Sequence, residues 1–153
     1  MKSLRTLVVL STIVIMAGGA ETTAAAVHHE ECLSVHARAI GQNLGGGRTH
    51  ATIIHAGILN GTTTGQLQIT GGTPPLLTVE GTGVLTTHHG TLTVRIVGTF
   101  NQATGVFTAT GQIVHGTGMF AGATGVLTFE GVEDPTTGSF TQTITGTVCL
   151  AHG

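Results

Sequence analysis

The chain has 153 residues, about the length of one domain, with a formal net charge of −2 and only 8% charged residues. There is no lysine after Lys2, and beyond residue 26 Arg38, Arg48 and Arg95 stand against six carboxylates, a net charge of −3. Nucleic acid is excluded as a partner, because neutralising phosphates takes clustered cations.

Residues 1–26 read as a secretory signal peptide. Lys2 and Arg5 give a positive start, Leu7 to Met16 an apolar run, and Ala24-Ala25-Ala26 a small-residue cleavage signal. The run is too short for a membrane span, which takes about 20 residues, and no later stretch is longer. A single domain over 27–153 is then expected outside the cytoplasm, extracellular or periplasmic. A lipid anchor on Cys32 is the competing reading. His29-Glu30-Glu31 argues against it, because a lipidated cysteine follows small and apolar residues. Cys32 and Cys149 lie at the two ends of this domain, and in an oxidising compartment they are expected to form a disulfide. That bond requires the first and last strands to lie side by side.

From there on, alternation of period two replaces any helical rhythm. Strands are predicted near 32–41, 49–59, 64–71, 76–86, 90–100, 104–115, 123–132 and 138–149, separated by Gly-, Asn-, Asp- and Pro-rich turns. Within 90–100, Leu92, Val94, Ile96 and Phe100 point one way and Thr91, Thr93, Arg95 and Thr99 the other. The short turns predict an antiparallel meander. Gly81, Gly98, Gly111, Gly131 and Gly146 fall on the apolar side of successive strands, which suits a sheet that must bend. Bending and the end-to-end disulfide together predict an all-β, eight-stranded antiparallel closed barrel, with a β-sandwich as the alternative.

One segment is more specific. Gly116 to Gly125 reads G-T-G-M-F-A-G-A-T-G and leads into Val126-Leu127-Thr128-Phe129-Glu130-Gly131. This phrase resembles a turn between two late strands of the dirigent and allene oxide cyclase-like barrel superfamily, over about the C-terminal half of the chain. The resemblance implies an eight-stranded barrel with a lumen sized for a small molecule. In activity it implies radical coupling or cyclisation, as in plant members. The chain has no Tyr and no Trp, its one Asp is in a predicted turn, and no catalytic residue of that family maps onto it.

Chemistry-bearing residues are sparse. Glu80 and Arg95 are expected nearly opposite each other on neighbouring strands, as an outer ion pair or, if buried with Glu130, as acid–base candidates. His115 shares the register of Phe107, Ala109 and Ile113, which would place it at one end of the lumen. His36 and Arg38 share the ambiguity between the two faces. The nine histidines show no established zinc spacing, so no metal is predicted, and no cofactor loop or nucleophile elbow is present. Asn60-Gly61-Thr62 matches a glycosylation acceptor. The expectation is an exported barrel binding a small apolar molecule in its lumen. The alternatives are an isomerase or cyclase that works by shaping its substrate, and an extracellular structural or adhesive module. Oligomeric state is not readable from the sequence.

Overall fold

Strands that alternate threonine with aliphatic residues have one wet face and one dry face, and closing the sheet on itself buries the dry one without leaving an edge. The computed structural model describes residues 29–152, so the signal peptide expected at 1–26 lies outside them. Its strands are β1 (His29–Gly45), β2 (Arg48–Ile54), β3 (Gly61–Thr73), β4 (Leu76–Thr87), β5 (Gly90–Asn101), β6 (Val106–Gly116), β7 (Thr124–Glu133) and β8 (Ser139–His152). They form a closed antiparallel barrel in chain order, not a sandwich. β1 closes on β8 over a continuous ladder from His29↔His152 to Gln42↔Ser139. Cys32 and Cys149 are directly opposed in that ladder and disulfide-bonded, with Cα atoms 3.9 Å apart.

The buried core is the inner face: Val35, Ala37 and Ala39 from β1, Leu92 and Val94 from β5, and Phe140, Ile144 and Val148 from β8. Thr, Gln, Arg and His alternate with them on the outside, together with the exposed Ile40, Val97, Val126 and Val132. Among the described residues, no helix is long and apolar enough to cross a membrane.

The inner glycines make room for aromatic rings. Phe140 lies over Gly41 and Phe107 over Gly131, each the residue opposite it across the ladder. A methyl at Gly131 would run into the Thr141 carbonyl oxygen and sit 2.5 Å from Phe107 Cζ. Gly131→Ala is therefore expected to destabilise the barrel by about 1–3 kcal/mol, the cost of overpacking. Gly71, where an added methyl meets nothing closer than 3.9 Å, is the control. Gly71→Ala should stay within about 0.5 kcal/mol of the parent in urea denaturation.

The barrel has a closed and an open end. At the closed end, single-turn 3₁₀ helices at Gly57–Leu59, beside β4, and at Gly118–Phe120, beside β5 and β8, carry Leu59 and Phe120 into the core, where Leu92, Val148 and Leu150 are also buried. β2 ends at Ile54, earlier than expected, because His55 turns the chain out at φ 60°. The open end carries the hairpin turns β1–β2, β3–β4, β5–β6 and β7–β8.

Candidate functional site

The inner faces do not meet in the middle. A cavity of about 560 Å³ fills the lumen, with Leu59, Leu85 and Leu92 toward the floor and Leu67, Phe100, Phe107 and Phe140 toward the mouth. A dry void in a protein core costs roughly 24 cal/mol per Å³, so an empty space of this size would cost on the order of 10 kcal/mol, comparable to the whole stability of a domain. The lumen must therefore hold water or a guest, and its wall reaches solvent. Gly46 and Ile69 line it, and Ile69 is 62% exposed.

On one side the mouth is bordered by the part of β3 that projects past the start of β2. β2 begins at Arg48, opposite Gln66, whereas β3 runs on to Thr73 and pairs beyond that point with β4. The Leu67 amide donates to the Gly47 carbonyl at 2.8 Å, just past the end of the β2 ladder. Gln68 and Ile69 follow, and both border the cavity.

The mouth is chemically lopsided. On one side, the contiguous strands β7, β8, β1 and β2 present Glu133, Gln142, Asn43 and Thr49. On the other, β3 to β6 present Leu67, Ile69, Val79, Phe100 and Phe107, with the uncharged Gln68, Thr99 and Thr108 among them. Asn43 Nδ2 donates to Glu133 Oε1 at 3.1 Å, which fixes the carboxylate on the wall. Phe107 meets Phe140 edge-to-face, with ring centroids 6.0 Å apart. Among the described residues, Glu133 is the one ionisable side chain lining the cavity.

The residues singled out from the sequence lie elsewhere. Arg95 and Glu130 are exposed on the outer face, and Glu80 is half-buried on it. Glu80 pairs with Val97 and Arg95 with Thr82, so the two are diagonal neighbours rather than opposite each other. His115 was expected in the lumen register, but a bulge intervenes. Thr93 faces His115 while Val94 faces Ile113, so Val114 is the extra residue and His115 is turned outward and exposed. His36 and Arg38 are also exposed. Asn60 is exposed, and its side-chain oxygen accepts the Ala56 amide at 2.8 Å. Cys32, Cys149 and Glu30 cluster within 4.8 Å, but both sulfurs are in the disulfide and a metal is held by thiolate.

Sequence reasoning missed Glu133, Asn43 and Gln142. The signal was there. Glu133 continues the Leu127, Phe129, Gly131 alternation, Asn43 continues Ala37, Ala39, Gly41, and Gln142 sits between Phe140 and Ile144. Comparison with protein-family models, curated proteins and solved structures finds no match.

Next to Glu133, the β7–β8 turn is held by Asp134. Its carboxylate accepts the backbone N–H of Thr136 at 2.8 Å and that of Thr137 at 3.4 Å. These bonds favour the charged form and hold its pKa below the ordinary aspartate value. The turn is therefore fully braced above the ordinary value and loosens as pH falls through the lowered one. In an NMR titration, the Asp134 side chain should protonate below an unstructured aspartate, and Thr136 and Thr137 amide shifts should move with it.

Proposed function

We propose that this is an exported barrel that binds a small apolar molecule in its lumen. The observation that carries the reading is the cavity: about 560 Å³, within the roughly 300–1,000 Å³ usual for ligand sites, walled mainly by aliphatic and phenyl side chains with a few polar groups among them. The disulfide, which persists in oxidising compartments, supports export. The turn at 116–125 supports placing the chain near the dirigent and allene oxide cyclase-like barrels, where it would serve to close the floor.

A neutral apolar dye such as N-phenyl-1-naphthylamine is expected to brighten on binding the exported domain. Gly83→Leu is the matched variant. Gly83 lines the cavity, and an added Cβ meets only Ile96 Cδ1, at 3.1 Å, so a larger side chain there enters the lumen rather than the backbone. Binding should weaken at least about tenfold, the effect of about 1.4 kcal/mol. Equal binding by parent and variant would place the dye outside the lumen and end this reading.

An isomerase or cyclase acting by substrate shaping is the second reading, favoured by the single carboxylate lining an otherwise uncharged cavity. Conversion of an aliphatic epoxide by the parent, lost in Glu133→Gln, would support it. Conversion that survives the substitution would remove Glu133 from that role.

A further inference from the structure

We infer that the guest is an amphiphilic amine: an apolar body held in the lumen, with a cationic nitrogen at the mouth against Glu133. This rests on the lumen reading above and adds the chemistry of one end of the guest.

The argument begins with charge. Glu133 is the one ionisable side chain lining the cavity among the described residues. Arg38, Arg48 and Arg95 are exposed on the outer face, so none of them faces the lumen. The carboxylate receives one neutral donor from within the wall, Asn43 Nδ2 at 3.1 Å. A carboxylate has about four acceptor sites, so most of its capacity remains for a donor arriving from the lumen. A cationic donor gives the stronger, charge-assisted bond.

Position gives the second part. Glu133 lies opposite Phe140 at the end of β7, beside the Phe107–Phe140 aromatic pair. An ammonium group seated there would find a carboxylate on one side and ring faces nearby, a combination that favours cations. Its apolar body would extend toward Leu92 and Leu85, where the lining offers no charged partner to a second head group and Thr63, opposite Leu85, is the polar side chain. An anionic guest of the same shape would meet Glu133 with no compensating positive charge.

The test uses three ligands with one body, decylamine, decanol and decanoate, each displacing N-phenyl-1-naphthylamine from the exported domain at neutral pH. Decylamine should displace the dye at about 10- to 100-fold lower concentration than decanoate, the range expected for one hydrogen bond to a charged group. Glu133→Gln keeps an oxygen for Asn43 and should remove the preference for decylamine over decanoate. Glu130→Gln removes the same charge from the outer face and should preserve the order. A parent protein that binds the dye but ranks the three ligands equally, or a preference that survives Glu133→Gln, overturns the inference and leaves the lumen reading standing. Failure of the dye and all three ligands to bind overturns both. The ranking in the parent decides the matter even if Glu133→Gln does not fold.

Discussion

Replacing Phe120 with alanine should cost about 3–5 kcal/mol, the usual range for a buried phenylalanine. Against a domain stability of about 5–15 kcal/mol, that is enough to leave a marginal barrel. Phe120 is 0% exposed and sits beneath the lumen, in the turn that joins β6 to β7. The turn cannot easily follow the shrinking side chain inward. Its backbone is tied on both sides, by Met119 N–H to the His89 carbonyl at 2.8 Å and by Ala123 N–H to the Phe120 carbonyl at 3.0 Å. Gly118 adds a fixed point, with φ +61° and a Cβ position occupied by the His89 carbonyl oxygen. The cavity left behind therefore stays open and joins the lumen above. Urea denaturation should show a lower midpoint, and the apolar dye should find a deeper site in whatever fraction remains folded. Met119, 46% exposed one residue earlier, is the control, and Met119→Ala should be close to neutral. A loss below about 1 kcal/mol for Phe120→Ala would mean that Leu92, Val148 and Leu150 seal the floor by themselves.

The strands were legible because a barrel imposes one rule on all of them, and a residue that breaks the rule costs burial energy. Leu92, Val94, Ile96 and Phe100 obey it in β5, and Phe140, Ile144 and Val148 in β8. Closure was legible from two unrelated signals, the inward glycines and the cysteines that meet across β1 and β8. Two local departures were not. The bulge at Val114 depends on how β6 must twist to pair with β5 near the floor, and nothing in the Ile113-Val114-His115 string marks it. The exit of β2 depends on His55 adopting a left-handed conformation that asparagine or glycine would have signalled more plainly. The cavity was the hardest feature to foresee. Its volume is a difference between the barrel's circumference and the sum of all inward side chains, so no single strand encodes it. The polar wall is a different case. Glu133 and Asn43 each stand at the end of a correct apolar alternation, and their contact over 90 positions of sequence required β7, β8 and β1 to be adjacent.

Removing the disulfide, in a Cys32→Ser/Cys149→Ser double variant, should lower stability by about 2–5 kcal/mol without opening the barrel. The two cysteines are separated by 117 positions, and a loop that long costs the unfolded chain about 4–5 kcal/mol of entropy in the chain-entropy model. The folded state has less at stake. β1 and β8 are laddered from end to end of their contact, and Val35, Val148 and Leu150 bury the seam from inside. Lumen binding by the folded variant should therefore match the parent. The kinetics separate the two accounts of the loss. β1–β8 pairing is the most non-local contact in the barrel, and non-local closure slows folding because its entropy is spent before the contact forms. With the bond intact, the chain begins folding with its ends already together. The double variant should accordingly fold more slowly, with most of its loss on the refolding arm of a chevron and the unfolding arm close to the parent's. A loss carried by the unfolding arm instead would mean that the barrel closes after its rate-limiting step, with β2 to β7 forming the nucleus and β1 and β8 joining late.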